Sequence, residues 1–454
     1  MKSNHVYLSI FTFILIFFIC ISLVCADEDI FIPKISSSPS PVGSGARSLG
    51  IGAFIVGDDA TASSWNPGNL VILEKPECSI VFEASHKIDR IHFFPNTESS
   101  GRQTISEENI NFFSIVYPFS VAKRNMVVAL TYQHLYDFNR EWSFPMKLTH
   151  QDIDASLIID EQVNYIQSGR LSAIGLSYCA EIKPGLSFGF TLNFWDNDLS
   201  KNEWKEAYQI SGTKTLELPV ALPEEIPPEP FKYIDSDSYT FKGFNFNLGM
   251  CWEISSKWTL GWVFKSPFTA DIERVNQTQI TDGYTWDNRE VFPDESLDMP
   301  MSFGVGMSYK VKDHFKIAWD IYRTDWHKCV YKKSDGTEKS SVTGQAVDAS
   351  DIDPTYQIRL GMEYRFENLK KSHMSIPVRA GVFYDPYPAQ GHSEDIFGFN
   401  MGAGINLFEK YIVDIAYRYR WGNDVGSSII YNYPGDFSTD VSEHILYSSL
   451  IIHF

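Results

Sequence analysis

The sequence FNFNLGMCWE at residues 244–253 places large apolar side chains at its even positions and polar or small ones at most odd positions. Successive side chains of a β-strand point to opposite faces, so this segment predicts a strand with one apolar and one polar face. The same alternation recurs at 186–194, 315–322 and 411–421. No helical periodicity of comparable length follows residue 26, and the pattern therefore predicts an all-β protein.

A soluble antiparallel sandwich with one solvated face is the alternative to a membrane protein. The alternating segments run for about 10 to 14 residues, whereas globular strands usually have about 5–6 and tilted membrane strands about 9–11. Aromatic residues crowd the segment ends, as interfacial girdles require: Tyr117, Trp142, Tyr384, Tyr387, Tyr419 and Trp421. These features favour an antiparallel transmembrane β-barrel.

The segments predict about fourteen strands, an even number as in bacterial single-chain barrels. They lie near 78–88, 105–118, 124–138, 170–181, 185–197, 239–254, 257–274, 300–312, 314–325, 355–366, 374–385, 395–408, 410–421 and 441–454, the last ending in Phe454. Tight turns at 183–185, 255–257 and 312–314 alternate with long polar stretches, which predict loops at 198–238, 275–299 and 326–354. The Pro-rich segment 219–230 predicts an extended surface loop.

Residues 1–26 have the composition of a signal peptide. Lys2 precedes the apolar run 6–24, and Val24-Cys25-Ala26 offers a cleavage site that leaves Asp27 first. An uncleaved anchor and lipid attachment at Cys25 are the alternatives. Export and a membrane barrel together predict a multi-pass protein in the outer membrane of a Gram-negative cell.

Composition and motifs exclude several functions. The formal charge of -19 argues against nucleic acid as a partner. The string GLSFG at 185–189 enters a strand rather than a helix, so we predict no catalytic residues and no enzyme. Acidic runs at 235–237 and 348–353 match no complete calcium loop, and we predict no metal site and no cofactor. The four cysteines after residue 26 are widely spaced, which predicts isolated thiols but leaves one oxidised pair open.

Small residues dominate the segment before the first strand, with GSGARSLGIGAF at 43–54 and GDDATASSWNPGNL at 57–70. A segment this rich in small residues packs closely against other backbone. We therefore predict an N-terminal hatch, or plug, at 27–77 inside the lumen of a barrel formed by 78–454.

These two segments resemble the hatch of the long-chain fatty-acid transport porins of outer membranes, the FadL type. Later segments resemble strands of the same family: MPMSFGVGMSY at 299–309, DIYRTDW at 320–326, RLGMEY at 359–364 and VRAGVFYDP at 378–386. The resemblance covers about 43 to 454 in order. The family usually has Asn-Pro-Ala where this chain has Asn66-Pro67-Gly68.

Two groups of residues are candidates for function. In the hatch, Trp65, Asn66, Pro67 and Gly68 form a turn in which Pro restricts the backbone and the Asn side chain can bond neighbouring backbone groups, which predicts a gating role. On the polar strand faces, alternation directs Arg359, Arg379 and Arg418 into the lumen. Such charges either form a structural salt-bridge network or bind the carboxylate of an amphipathic ligand.

The resemblance implies a channel for the passive, gated uptake of hydrophobic or amphipathic molecules such as long-chain fatty acids. The alternative is a plugged barrel that serves as an attachment or shuttle component of a protein secretion system. The expected partners are membrane lipids and lipopolysaccharide, the outer-membrane assembly machinery and a hydrophobic small-molecule ligand.

Overall fold

The computed structural model describes residues 45–152, 155–217, 227–367, 374–408, 410–427, 429–430 and 436–454. The predicted signal peptide and the predicted hatch before residue 45 lie outside these ranges. One short α-helix, α1 (Ala46–Ile51), precedes the strands, and single 3₁₀ turns form at Ala60–Ser63, Pro67–Ile72, Thr97–Ser99, Trp326–Lys328 and Val347–Ala349. Within the described ranges, every helix is too short or too polar to cross a membrane.

Twenty strands account for most of the described chain. In order, they are β1 (Glu77–Phe94), β2 (Gly101–Val121), β3 (Arg124–Asp137), β4 (Arg140–Asp152), β5 (Ala155–Lys183), β6 (Leu186–Trp195), β7 (Asn202–Glu217), β8 (Glu229–Glu253), β9 (Trp258–Lys265), β10 (Phe268–Asp282), β11 (Tyr284–Met299), β12 (Ser302–Lys312), β13 (Phe315–Thr324), β14 (Val330–Lys332), β15 (Glu338–Ser340), β16 (Thr355–Phe366), β17 (Met374–Tyr384), β18 (Phe397–Leu407), β19 (Tyr411–Val425) and β20 (Asp436–His453).

Fourteen of these strands form a closed antiparallel barrel, as the sequence predicted. Around the barrel they follow the order β1, β2, β3, β5, β6, β8, β9, β12, β13, β16, β17, β18, β19 and β20. β20 then pairs with β1 along its length, from Glu77 with His453 to Phe94 with Asp436. This last pairing removes both sheet edges, as a barrel in lipid requires.

The two faces of the wall follow the predicted alternation. In β8, Phe244, Leu248 and Trp252 are exposed on the outside, whereas Asn245 and Asn247 are buried inside. β6, β13 and β19 repeat this division at the predicted positions. The outer surface is therefore an apolar band and the inner surface is polar.

The predicted long loops are wrong in two of three cases. The regions 198–238 and 275–299 contain β7, the first part of β8, the end of β10 and all of β11. Together with β4 and the first half of β5, which the sequence did not indicate, they extend the wall beyond one barrel end in the order β4, β5, β7, β8, β10, β11, β14 and β15. Most of these strands have polar residues on both faces, because neither face meets lipid, so alternation does not reveal them.

A proline explains one smaller difference. The predicted strand 257–274 is interrupted at Ser266 and Pro267, where β9 ends in the barrel and β10 begins outside it. Proline lacks the N–H that a strand ladder needs, so the ladder changes partners there. The predicted Pro-rich loop 219–230 lies mostly outside the described residues, although β8 begins at Glu229.

The region 326–354 is largely a loop, as predicted, with only the short strands β14 and β15. It covers an apolar cluster at the extended end of the barrel, whose members include Leu135, Phe138, Trp195, Trp204, Tyr239, Phe241, Leu297, Trp326 and Tyr331. The tight turns, such as 122–123 and 184–185, lie at the opposite end. By the usual asymmetry of such barrels, the tight-turn end faces the periplasm.

Candidate functional site

The N-terminal segment, residues 45–76, packs against the inner wall of the barrel. The helix α1 contacts β16 to β20, and the turn at Pro67–Ile72 contacts β3, β5, β6 and β8. Nearly all residues from Gly45 to Leu70 are buried or partly buried. The segment therefore spans the lumen from one side of the wall to the other.

Asn66 fixes the turn in this segment, as the sequence predicted. Its Nδ2 donates to the carbonyl of Ile55 at 2.7 Å and to the carbonyl of Met250 in β8 at 2.9 Å, while Oδ1 accepts from the N–H of Gly68 at 3.1 Å. One amide thus joins two parts of the segment to each other and to the wall.

Gly68, where the resemblance implies an alanine, lies too close to the wall for a side chain. A Cβ at this position would lie 2.8 Å from the backbone of Gly249 and Met250. The Gly68 carbonyl accepts a hydrogen bond from the Ser187 hydroxyl at 2.7 Å. Ser187 is the serine of the GLSFG string, so its hydroxyl serves to hold the turn.

Glycines in the wall allow the segment to approach this closely. A Cβ at Gly361 or Gly381 would overlap the Ile51 carbonyl, and a Cβ at Gly261 would lie 2.6 Å from the Ile55 carbonyl. Inward-facing glycines are the positions where another backbone can come near a strand. Small residues in the segment and glycines in the wall together permit this close contact.

Charged groups also tie the segment to the wall. Asp58 contacts Lys316 of β13 at 2.8 Å and Arg47 of the segment at 3.3 Å. Burial acts to raise the pKa of Asp58, but the ammonium of Lys316 and the guanidinium of Arg47 hold that pKa well below its usual range. Asp320 of β13 accepts from the N–H groups of Phe54 and Ile55, the second at 3.1 Å.

The three predicted lumen arginines are all buried. Two of them, Arg379 and Arg418, donate hydrogen bonds to carboxylates. Arg379 donates to Glu363 at 2.7 Å and to Asp414 at 2.6 Å, and Arg418 donates to Asp385 at 3.1 Å. For these two arginines, the pairs form a structural salt-bridge network, which was the alternative to binding the carboxylate of a ligand. Arg379 thus has little donor capacity left for a ligand, whereas the Nε of Arg418 has no hydrogen-bond partner among the described residues.

Arg359 is held less tightly than the other two. Its distance to Asp385 is 3.9 Å, its Nη2 donates to Gln357 at 2.6 Å, and its Nε has no hydrogen-bond partner among the described residues. Its guanidinium lies 5.1 Å from the ring centre of Phe54. The carboxylate-binding role predicted for the three arginines stays a prediction, and the geometry favours Arg359 among them.

A cavity of about 40 Å³ lies beside Trp65, between the N-terminal segment and the apolar cluster at the extended end. Its lining combines aromatic and apolar side chains with amides and hydroxyls, including Leu135, Tyr136, Trp195, Asn245, Phe268, Met299, Ser302, Tyr322, Thr324 and Gln357. Trp65 stacks on Phe54 at 5.1 Å between ring centres and meets Tyr322 edge-on at 5.4 Å. The lining is therefore mixed, with aromatic and apolar side chains beside nearly as many amide, hydroxyl and ammonium groups.

Lys265, the last residue of β9, also lines this cavity, and the sequence did not single it out. Its ammonium lies 4.2 Å from the ring centre of Trp65 and 5.9 Å from that of Tyr322. Among the described residues, no carboxylate lies within 4.0 Å of it. The alternation of β9 could have found it, since Lys265 shares the inner face with buried Gly261 and Val263.

The other predicted features have structural roles. Asp235 and Asp237 bond to Asn276 at 2.8 and 3.2 Å, and Asp237 also pairs with Arg274 at 3.1 Å. All four cysteines of the described chain are free thiols, namely Cys78, Cys179, Cys251 and Cys329. Burial raises the pKa of the Cys329 thiol, which lies outside the barrel strands, to about 12.

The barrel, the inner segment and the cavity define an outer-membrane transport barrel, and comparison with known proteins agrees. Residues 40–433 match the model of the family described as outer membrane protein transport protein (OMPP1/FadL/TodX). This chain belongs to that family, whose members are outer-membrane transporters of hydrophobic compounds. The predicted family resemblance is confirmed. No curated protein sequence matches the chain.

Solved structures share the fold at low sequence identity. A FadL homologue of Pseudomonas aeruginosa is 13% identical, with a TM-score of 0.57 over 91% of this chain and 100% of its own. The monoaromatic hydrocarbon channel CymD is 14% identical, with a TM-score of 0.53 over 91% and 98%. The Pseudomonas putida toluene transporter TodX is 13% identical, with a TM-score of 0.53 over 92% and 100%.

Proposed function

We propose that this protein is a passive, gated channel of the outer membrane for amphipathic molecules with an acidic head group, such as long-chain fatty acids. The observation that carries this proposal is Lys265 in the wall of the cavity at Trp65. A cation without a nearby carboxylate, set among aromatic side chains, suits a ligand that has an anionic head and an apolar chain.

An uncharged aromatic hydrocarbon is the competing cargo, because two structural neighbours are described as a monoaromatic hydrocarbon channel and a toluene transporter. Such a ligand can meet the ammonium only through its ring face, and it has no anion to pair with the charge. Desolvating Lys265 for an apolar ligand alone would cost free energy that no ion pair returns. The charge at the cavity therefore favours the acid.

The size of the cavity supports gating. A volume of about 40 Å³ has room for roughly three water molecules at 10–15 Å³ each, far less than a fatty acid needs. Passage therefore requires movement of the N-terminal segment or of the side chains around Trp65. We infer that residues 45–76 act as the hatch and that Trp65, Asn66, Pro67 and Gly68 form its gating turn.

Binding of palmitate and of toluene to the detergent-purified protein tests the proposed cargo. We expect Lys265→Met to weaken palmitate binding by about 10-fold or more, since a charge-assisted contact of about 1.5–3 kcal/mol is lost. Toluene binding should change far less, since toluene can lose at most a weak contact between the ammonium and its ring. Lys257→Met, in an exposed turn of the same strand pair, is the matched control. Equal palmitate affinity in the parent and in Lys265→Met would contradict an acidic cargo.

Family members transport hydrophobic compounds across the outer membrane, which favours a channel over a component of a secretion system.

We also propose that a signal peptide is cleaved before Asp27, that the assembly machinery inserts the barrel, and that lipid and lipopolysaccharide surround its apolar band. N-terminal sequencing of the membrane-extracted protein tests the cleavage. A first residue other than Asp27 would refute that site.

A further inference from the structure

Three side chains with metal-ligating atoms, none of which lines the cavity at Trp65, meet on the inner wall. They are Glu83 of β1 with His134 and Asp137 of β3, and one ligating atom of each lies within 4.8 Å of the other two. His134 Nε2 is 2.9 Å from Asp137 Oδ1, and the His134 side chain is only 2% exposed. The cluster thus spans β1 and β3 above the intervening β2.

A β-bulge creates this cluster. The ladder between β3 and β5 shifts register between His134 and Tyr136, so that Leu135 is an extra residue in β3. In a regular strand, His134 and Asp137 would point to opposite faces, because three positions separate them. Bulges commonly redirect side chains at functional sites.

The described residues leave the His134 ring and the Glu83 carboxylate of this cluster incompletely satisfied. Neither ring nitrogen of buried His134 has an aligned hydrogen-bond partner in the part of the chain that the structure describes. Glu83 is buried, and none of the described Lys or Arg side chains lies within 4.0 Å of it. Burial of incompletely satisfied charged and polar groups costs several kcal/mol, which a bound cation would offset.

Further carboxylates surround the three residues. Glu107 lies close enough to Asp137 and His134 to interact electrostatically, and Arg170 is the cation that faces the same two groups. Glu443 also faces Glu83, but it is paired with Arg420 at 2.5 Å. The local charge therefore remains negative and attracts a cation.

We propose that Glu83, His134 and Asp137 bind one divalent transition-metal ion, for which Zn²⁺ is the representative. One imidazole nitrogen and two carboxylate oxygens match the ligands that Zn²⁺ takes in proteins, and water from the lumen completes the coordination. Calcium and magnesium prefer sites with oxygen ligands only, so His134 selects against them.

Neighbouring polar groups orient the two carboxylates. The Tyr447 hydroxyl faces Glu83, and Asn139 Nδ2 donates to Asp137 Oδ1 at 3.3 Å. Hydrogen bonds of this kind fix metal ligands in position. The bound ion would cross-link β1 to β3 on the inner side of the barrel.

Equilibrium dialysis of the chelator-stripped full chain in detergent against Zn²⁺ tests the site, with bound metal measured by mass spectrometry. The parent is expected to bind one Zn²⁺ per chain, and His134→Gln and Glu83→Gln are each expected to weaken binding at least 10-fold. Outward-facing His86, 6.3 Å from His444 between ring centres, provides the control variant His86→Gln, which should match the parent.

X-ray absorption at the zinc edge supplies a second readout that does not depend on affinity. The parent should show scattering from one imidazole ligand, and His134→Gln should lose it. Asp137→Asn, in a partly exposed position, tests the third ligand if Glu83→Gln fails to fold, and it too should bind at least 10-fold more weakly. Unchanged Zn²⁺ binding by His134→Gln, loss of binding in His86→Gln, or no zinc in the parent would each overturn the proposal.

Discussion

Asn66 connects the N-terminal segment to itself and to the barrel wall through one side-chain amide. Its partners are the carbonyls of Ile55 and Met250 and the N–H of Gly68. The residue type and the following proline predicted a turn in which the Asn side chain bonds neighbouring backbone, and Asn66 Oδ1 accepts from the Gly68 N–H. The gating role stays a prediction. The bond to Met250 could not be predicted, because 184 positions separate the two residues.

We expect the double substitution Asn66→Ala with Pro67→Ala to change fatty-acid uptake several-fold while the barrel still folds. The carbonyls of Ile55 and Met250 each lose the Asn66 amide, at about 0.5–1.5 kcal/mol per hydrogen bond, while Asn69 Nδ2 still donates to Ile55 at 2.8 Å. The turn also loses the restriction that proline imposes. Strand pairing is untouched. Uptake is measured at matched surface levels, with Asn288→Ala on an exposed strand as the control. Equal uptake by the double variant and the parent would reduce the turn to a packing role.

Gly361→Ala tests whether the N-terminal segment packs against the wall only because this position has no side chain. A Cβ there would overlap the Ile51 carbonyl, so the segment must move away from β16. Trypsin should then cleave after Arg47 several-fold faster in the folded, detergent-solubilised protein. Gly101→Ala is the control, because the nearest atom to its Cβ lies 3.8 Å away. Identical cleavage rates for all three proteins would argue against this close contact.

At the scale of the element, alternation predicted each barrel strand but not the strands beyond the barrel. β19 shows why the first prediction succeeded: lipid on one side and a polar lumen on the other require different residues at successive positions. β7 shows why the second failed. Both faces of β7 are partly exposed to water along most of its length, so its sequence shows no regular alternation of apolar and polar residues.

The closing strand β20 leads to a prediction about Phe454. This residue is 75% exposed, and its N–H donates to the Pro76 carbonyl at 2.9 Å, next to the start of β1. We expect removal of Phe454 to lower the amount of folded barrel in the outer membrane, because a lipid-facing aromatic is lost where the sheet closes. Phe408→Ala, which removes another exposed phenylalanine at a turn, should have little effect. Unchanged barrel yield after removal of Phe454 would exclude this role.

For the whole molecule, the outward side chains form a continuous apolar surface that only lipid or detergent can cover. We therefore expect extraction only with detergent and faster electrophoretic migration of the unheated protein, since the closed ladder resists unfolding. Boiling should shift the band to the position of the unfolded chain. Recovery of a folded, monomeric protein without detergent would contradict a membrane barrel.

The sequence by itself determined the barrel, its strand number and the side of the wall on which each residue lies, because these depend on a period of two along the chain. It also determined the family and the small-residue segment before the first strand. It indicated which arginines point inward, but not which of them a carboxylate already holds.

The tertiary structure alone decided the position of Lys265 in a cavity, the distinction between Arg359 and the paired Arg379 and Arg418, and the meeting of Glu83 with His134 and Asp137. These depend on which strands are neighbours around the closed sheet and on a one-residue bulge in β3. Contacts between residues far apart in the chain leave no periodic trace, so only the folded barrel brings them together.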